Sequence, residues 1–264
     1  MSLHILSVMT EHKYYSDYMI KSIKRNNGQL TILGMNEQWK GFNWRFKKIL
    51  EYLVTLNDDD IVCVIDGYDV ICVQNLENFT KSFQTLKERE NCKIIVGYDN
   101  LNHINFFSKM YVKLTFGTCK NSSINMGTYV GYAKDLVMII NDLLKINDND
   151  NEDDQVLFTK FCKNNSKDIY IDTKNELFLS ISGCMNEIDK FIDINDGVVS
   201  YQKNFPYFLH APGATYLENV LKKLNYDVPN DDIKNSLKYK YISPYFFYLF
   251  YFLIIFDLIL FFTL

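Results

Sequence analysis

Apolar residues follow two different patterns along the first hundred residues. Four short, mainly apolar runs have the length and the β-branched content of buried strands. Between them, apolar residues recur every three or four positions, as on one face of a helix. This β-α-β-α order predicts an α/β fold with a mostly parallel sheet and helices on both faces. The predicted strands are residues 3–8, 30–33, 61–65 and 93–98, and the predicted helices are residues 14–25, 44–56 and 79–89.

The pattern continues less regularly after residue 98. Residues 99–123 are polar and predict a loop-rich flap or insertion. An acidic, Asn-rich loop at 147–154 then runs into a short apolar helix. The later predicted strands are a short one within 122–133, then 169–171, 177–181, 198–201 and 206–210, and the later helices are 134–146, 156–161 and 217–224.

Two carboxylates close the third predicted strand. Asp66 follows the apolar run 61–65 directly, and Asp69 comes three residues later, after Gly67. In open α/β sheets ligands bind outside the carboxyl ends of the strands. Carboxylates there suit Mn²⁺ or Mg²⁺, which can in turn hold a diphosphate. The alternative is an ordinary turn, in which Asp and Gly are common.

Three other positions have both a functional and a structural interpretation. His210 ends an apolar strand before a Pro/Gly loop, where it is either a ligand or a structural histidine. Asp153 and Asp154 precede a helix and can simply cap it, since the helix dipole favours acids there. Arg45 lies at a helix start, where the dipole disfavours cations, so it is a candidate for an anionic ligand or a solvated charge.

Composition narrows the classes of partner. The 264 residues are 48% apolar and 23% charged, as in a globular protein. The net charge of −4 argues against nucleic acid as the main partner and is compatible with a lysine-rich polypeptide. The six cysteines form no C-x-x-C pair, which disfavours a zinc cluster, and their spacing demands no disulfide framework. The apolar run at 3–8 is too short for a signal peptide and predicts a first strand.

Several short motifs occur together in one order. They are Val8-Met-Thr10; Gly34-Met-Asn-Glu-Gln-Trp39-Lys-Gly41; Asp66-Gly-Tyr68-Asp69-Val; Ile124-Asn125-Met-Gly127 with Gly131-Tyr-Ala133; Asp153-Asp154-Gln155; His210-Ala-Pro-Gly213; and Asn225-Tyr-Asp-Val-Pro229-Asn230. In this order and spacing the chain resembles the glycosyltransferase domain of the procollagen lysyl hydroxylases, over residues 3–230. That resemblance implies a GT-A (Rossmann-like) fold.

The resemblance also implies roles for individual residues. Asp66, Asp69 and His210 would hold Mn²⁺. Asp153 and Asp154, with Asn125, would serve catalysis and acceptor binding. The residues expected to contact the nucleotide sugar are Thr10, Trp39, Arg45, Asp66, Tyr68 and Gly213.

By resemblance, the expected reaction is retaining transfer of glucose from UDP-glucose to galactosyl-hydroxylysine of a collagen-like polypeptide. Transfer of galactose from UDP-galactose to hydroxylysine is the close alternative. Some positions depart from the family pattern: Arg45 replaces a lysine, Pro212 an asparagine and Tyr216 a lysine. The last two favour a catalytically silent module that binds a UDP-sugar.

The C-terminal residues form a separate compositional unit. Residues 244–264 are almost wholly apolar and aromatic, broken by Asp257, and as a helix they reach roughly the ~30 Å of a bilayer core. Lysines precede them, so a single-pass C-terminal membrane anchor is expected, with a buried hydrophobic helix as the alternative. The expected organisation is a transferase domain at 1–230, a linker at 231–243 and a hydrophobic tail at 244–264.

Overall fold

The computed structural model describes residues 1–146, 152–183, 185–213, 215–228 and 233–237. The helices are α1 (Ser16–Arg25), α2 (Phe42–Leu53), α3 (Phe79–Glu90), α4 (Phe106–Phe116), α5 (Ala133–Ile146), α6 (Asp154–Asn164) and α7 (Glu218–Lys223). The strands are β1 (Leu3–Val8), β2 (Leu30–Leu33), β3 (Ile61–Asp66), β4 (Val70–Cys72), β5 (Ile94–Asn100), β6 (Ile124–Tyr132), β7 (Ile169–Ile171), β8 (Phe178–Ile181), β9 (Asp193–Asn195), β10 (Val198–Ser200) and β11 (Phe208–His210).

Nine strands form one sheet in the order β2-β1-β3-β6-β5-β8-β11-β4, with β7 also paired to β5. The prediction of a mostly parallel sheet is only partly right. The pairs of β1 with β2 and β3, and of β8 with β5 and β11, are parallel. However, β6 runs antiparallel to both β3 and β5, and β4 runs antiparallel to β11. The fold is therefore mixed α/β.

The reversal of β6 follows from the connection before it. Strand β5 ends at Asn100, and residues 101–123, including α4, lead directly into β6. The connection ends beside the end of β5, where the Asp99 N–H donates to the Ser123 carbonyl oxygen (3.0 Å), so β6 returns along β5 in the opposite direction.

Helices cover both faces of the sheet, as predicted. Successive residues of a strand point to opposite faces, so Leu6 joins an apolar cluster with α2, α5 and α6, while Ile5 joins a second with α1 and α3. The same division applies to Val64 and Cys63 of β3. Burial on both sides is why this strand carries an unbroken apolar run.

Two features of the middle of the chain differ from the sequence expectation. The polar insertion contains α4, which begins where the Asn105 side chain accepts a hydrogen bond from the Ser108 N–H (2.9 Å). Soon after α4, Cys119 forms a disulfide with Cys162 of α6, across 43 positions of sequence. Scattered spacing gave no sign of this pair, since only the fold brings the two side chains together.

The expected hydrophobic tail, residues 244–264, lies outside the described residues. In the part of the chain that is described, no helix combines the length and apolar character needed to cross a membrane. Residues 233–237, within the expected linker, are helical. Leu237 is buried in a third apolar cluster built around α7, so the chain still packs on the domain there.

Candidate active site

Strand pairing brings the predicted metal ligands together. Asp66 is the last residue of β3, and a two-residue turn places Asp69 immediately before β4. Strand β4 pairs antiparallel with β11 so that Val70 lies opposite His210, and the Ala211 N–H donates to the Asp69 carbonyl oxygen (2.9 Å). Two side chains 141 positions apart in sequence therefore become neighbours.

The three side chains face one another. The Nε2 atom of His210 lies 3.2 Å from Oδ1 of Asp69 and 3.8 Å from Oδ2 of Asp66. One ligand atom from each residue lies within 4.8 Å of the others. Both His210 Nε2 and Asp69 Oδ1 are buried, and apart from each other they have no partner within hydrogen-bonding distance. Two buried acceptors that face each other are costly unless a proton or a cation lies between them, and a divalent cation would satisfy both, so this set of donors fits a metal ion.

Asn125 fixes the orientation of the imidazole. The Gly127 N–H donates to Asn125 Oδ1 (3.0 Å), which identifies that amide atom as the oxygen. The same oxygen lies 2.8 Å from His210 Nδ1, so Nδ1 carries the hydrogen and donates. In the neutral ring the lone pair is then on Nε2, which faces the aspartates. Asn125 is itself buried, so its contacts make it a positioning residue for His210.

The charges around His210 favour its protonated form when no cation is present. Burial lowers the pKa of His210, but the facing carboxylates of Asp69 and Asp66 raise it further, and the net shift is upward. A divalent ion would take the place of that proton.

Gly127 leaves the space that the imidazole fills. A Cβ atom at this position would lie 2.2 Å from His210 Cε1 and 2.8 Å from Nε2. Real Cβ atoms do not approach this closely, so any larger residue at position 127 would displace the ring. The small residue of the Asn125-Met-Gly127 motif is thus explained by the histidine that packs on it.

Arg45 connects the metal-ligand cluster to the acidic helix start. Its guanidinium donates from Nη2 to Asp66 Oδ1 (2.6 Å) and from Nη1 to Asp154 Oδ2 (2.7 Å). Burial lowers the pKa of Arg45, but the two carboxylates raise it more, so the side chain stays charged. Sequence reasoning singled out this cation for an anionic ligand; the structure shows that carboxylates of the protein already engage it.

Asp153 and Asp154 differ in environment although they are adjacent. Asp153 caps α6, because its side chain accepts a hydrogen bond from the Gln155 N–H (2.9 Å). Asp154 points into the protein toward Arg45 and is buried. Burial raises the pKa of Asp154 to about 7, against the opposing effect of Arg45. The capping interpretation therefore holds for Asp153. Asp154 instead forms a buried ion pair with Arg45.

A cavity of about 450 Å³ opens beside the cluster. The ring of Trp39 is 44% exposed there, and Tyr68 is held by a hydrogen bond from the Thr10 N–H to its hydroxyl (3.1 Å). The exposed ring of Trp39, with the half-buried ring of Tyr68 lining the same cavity, suits a stacked base. The predicted residues that line the cavity are Thr10, Trp39, Arg45, Asp66, Tyr68, Asp69 and Gly213; His210, Asn125, Asp153 and Asp154 are not among its lining residues.

Sequence reasoning missed several residues of this region. Lys13 lines the cavity, with its Nζ atom 4.8 Å from the centre of the Tyr68 ring. Asp99 of β5 lies in register with Ser180 of β8, which in turn pairs with His210, so the three form one row across the sheet. Burial raises the pKa of Asp99 to about 6. Asp99 directly follows an apolar strand, as Asp66 does, and that signal could have identified it.

A family model described as the PLOD GT domain matches residues 1–231. The chain belongs to this family. The resemblance inferred from the motifs is thereby confirmed, and membership of a glycosyltransferase family supports a sugar-transferring enzyme. The hydroxylase portion of related proteins is not needed for this match, which lies within the domain described above.

Relatives of this PLOD GT domain come from a virus and from animals. An uncharacterized protein of Acanthamoeba polyphaga mimivirus is 25% identical over 232 residues, which cover 82% of this chain and 47% of that protein. The procollagen-lysine,2-oxoglutarate 5-dioxygenase of Drosophila melanogaster is 23% identical over 238 residues, 82% of this chain and 31% of its own length. The procollagen-lysine,2-oxoglutarate 5-dioxygenase 2 of Homo sapiens is 24% identical over 201 residues, 70% of this chain and 26% of its own length. The chain thus spans less than half of each relative.

Two solved structures are similar in shape. One is a glycosyltransferase involved in glycosylation of the major capsid of PBCV-1, with a TM-score of 0.45 and 10% identity, over 80% of this chain and 93% of that chain. The other is the galactosyltransferase LgtC in complex with donor and acceptor sugar analogs, with a TM-score of 0.41 and 13% identity, over 68% of this chain and 76% of that chain. The family assignment rests on the family model, which matches residues 1–231.

Proposed function

We propose that the protein is a Mn²⁺-dependent retaining glycosyltransferase that moves glucose from UDP-glucose to galactosyl-hydroxylysine of a collagen-like polypeptide. The observation that carries the proposal is the meeting of Asp66, Asp69 and His210 beside the 450 Å³ cavity. Two buried ligand atoms that have no partner but each other, next to a cavity lined by Trp39 and Tyr68, suit a metal-bound nucleoside diphosphate. The family membership reported above supports a sugar donor, and the hydroxylases among the relatives suggest the acceptor.

Each part of the cavity has a role in this proposal. Trp39 and Tyr68 would hold the uridine, and Lys13 would add positive charge near the diphosphate. Asp66, Asp69 and His210 would hold the ion, which when bound neutralises charge on the departing UDP. Asn125 keeps Nε2 of His210 directed at the ion site.

Asp154 would act in this reaction through Arg45. Arg45 is hydrogen-bonded to both Asp154 and Asp66, so it holds Oδ1 of Asp66 while Oδ2 of the same carboxylate faces His210 Nε2 (3.8 Å). Asp153 keeps α6 in place by capping it, and the acceptor would approach along this helix start. The acceptor hydroxyl oxygen would bond to the anomeric carbon on the same face from which the UDP oxygen departs, and its proton would pass to the departing UDP. Because both bonds lie on one face, the sugar would keep its anomeric configuration.

The test uses the full-length protein with UDP-glucose or UDP-galactose, Mn²⁺, and collagen peptides with and without galactosyl-hydroxylysine. We expect UDP release with UDP-glucose and the galactosylated peptide, and NMR of the product should show the donor's anomeric configuration. Asp69→Asn should abolish transfer. The matched control is Asp59→Asn, which alters an exposed aspartate paired with Lys134. Transfer by Asp69→Asn at the wild-type rate would reject the metal assignment.

The same experiment separates two alternatives. Transfer only from UDP-galactose to unmodified hydroxylysine would replace the glucosyl assignment with a galactosyl one. The second alternative is a silent binding module, which Pro212 and Tyr216 favour because they stand where the family has asparagine and lysine. In that case, UDP and Mn²⁺ would bind without transfer from any UDP-hexose to either peptide.

A further inference from the structure

Helix α4 turns its apolar side chains outward. None of its eleven residues is buried. The exposed fractions are 71% for Phe106, 74% for Phe107, 44% for Met110, 61% for Tyr111 and 77% for Leu114. Isolated exposed apolar residues are ordinary, but five large ones on one helix form a contiguous patch, which marks an interaction surface.

The spacing of these residues places them on one side of the helix. At about 100° per residue, Phe106, Met110, Leu114, Phe107 and Tyr111 fall in sequence around an arc of about 140°. The half-buried residues Ser108, Val112 and Phe116 occupy the other side. Helix α4 contacts α6. The disulfide Cys119–Cys162 also links the segment that follows α4 to α6. The apolar arc is thus presented by a fixed element.

The charge of this segment indicates what it meets. Residues 101–123 contain no Asp or Glu, although the whole chain has 32 acidic residues and a net charge of −4. The same segment contains Lys109, Lys113 and Lys120. Lys113 is exposed at one edge of the apolar arc, and Lys109 lies next to it on the helix surface. An apolar arc with the exposed Lys113 and the half-buried Lys109 along one edge matches the boundary between acyl chains and anionic headgroups.

Two other occupants fit this charge less well. A second copy of the chain, paired through the same face, would bring two sets of lysines together. A lysine-rich acceptor would likewise meet charge of its own sign. Aromatic side chains with lysines beside them instead suit a lipid surface, since long lysine stems can lie along apolar atoms while the amine reaches headgroups.

We propose that α4 is an interfacial docking helix, which lays Phe106, Phe107, Met110, Tyr111 and Leu114 into the surface of a bilayer that contains anionic lipid. This contact is separate from the expected C-terminal anchor and independent of the transferase reaction. It would hold the domain against the membrane by a second attachment at a defined face.

The test places an environment-sensitive nitrobenzoxadiazole label on the full-length protein at Leu114→Cys. The matched control is a label at Met138→Cys, an exposed apolar position on α5. The cysteines at 63, 72 and 92 are buried, and wild-type protein treated with the same reagent corrects for other labelling. The label reports the surroundings of α4 itself, so attachment through the tail alone leaves it in water.

With vesicles of phosphatidylcholine and phosphatidylserine, we expect the label at 114 to shift to shorter wavelength and brighten several-fold, while the label at 138 stays unchanged. Phosphatidylcholine alone should give a weaker response. Lys109→Glu with Lys113→Glu should remove the preference for anionic lipid, whereas Lys21→Glu with Lys24→Glu on α1 should not. The proposal is overturned by no response at 114, by equal responses at both sites, or by a label at 114 already in an apolar environment before vesicles are added.

Discussion

Gly127→Ala tests how the metal-ligand cluster is built. The added Cβ atom would lie 2.2 Å from His210 Cε1, whereas two carbon atoms in contact prefer about 3.5–4.0 Å. The imidazole must therefore move by about 1.3 Å or more. The backbone at Gly127 has no left-handed φ angle, so alanine adds a steric contact without backbone strain.

The size of that displacement decides the expected effect. Metal–ligand distances hold to within about 0.2 Å, so a ring moved by about 1.3 Å can no longer coordinate from the same place. The hydrogen bond from His210 Nδ1 to Asn125 (2.8 Å) would also be distorted. Altering groups that orient a metal ligand typically costs 10–100-fold in affinity. We expect Gly127→Ala to weaken Mn²⁺ binding by about 10–100-fold, or about 1.4–2.7 kcal/mol.

The assay is a titration of the full-length protein with Mn²⁺, in which electron paramagnetic resonance measures the free ion. Gly131→Ala is the matched control, because Gly131 lies in β6 like Gly127. Its added Cβ would lie 2.8 Å from Ile94 Cγ2 of the neighbouring strand, away from His210. Overpacking should cost both variants about 1–3 kcal/mol of stability. Wild-type Mn²⁺ affinity in Gly127→Ala, or an equal loss in Gly131→Ala, would refute the reasoning.

Three further perturbations address charge and covalent structure. Arg45→Met should lower the free energy of unfolding, measured in urea, by about 3–5 kcal/mol, because two carboxylates lose a buried partner. The control Arg89→Met removes a partly exposed ion pair and should lower it by about 1 kcal/mol or less. Equal losses in the two variants would contradict the importance of burial. Burial lowers the pKa of His210 but its neighbouring carboxylates hold it above the usual value, so metal-free protein should lose stability as pH rises above about 6.5. His210→Gln should reduce that decline in thermal melts but not remove it, because the raised pKa of Asp154, about 7, makes stability fall over an overlapping range. An unchanged pH profile would exclude His210 as a source of the decline. Cys162→Ser should lower the free energy of unfolding by about 2–5 kcal/mol, and reduction of the wild-type protein should have the same effect. A variant as stable as the oxidised wild type would show that the disulfide is dispensable.

Local pattern was enough to predict most of the elements and their order. The run at 61–65 is apolar throughout because β3 is covered on both faces, and this made both the strand and the carboxylates after it recognisable. Helix α6 starts at Asp154, two residues earlier than predicted, because Asp153 supplies the cap. Such features depend on neighbours in sequence, which periodicity and capping rules describe.

Contacts between distant segments could not be predicted in the same way. The register that sets Val70 opposite His210 depends on pairing between β4 and β11, and no local pattern specifies it. The motif resemblance, rather than residue spacing, linked His210 to the aspartates. Arg45 looked like a group for an external anion because its partner Asp154 is 109 positions away. Helix α4 was missed because the polar residues of 99–123 favoured a loop-rich insertion, and the outward-facing apolar residues within it were not recognised as helical.

Leu237 has a practical consequence for anyone trimming the polypeptide. The family match ends at residue 231, yet Leu237 forms part of the cavity wall together with Tyr15 and Gly213. A shortened protein cut at that boundary would lack Leu237 and so open one side of this cavity to water. If such a fragment bound the proposed nucleotide sugar weakly, the missing wall would explain it, so expression boundaries belong beyond residue 237.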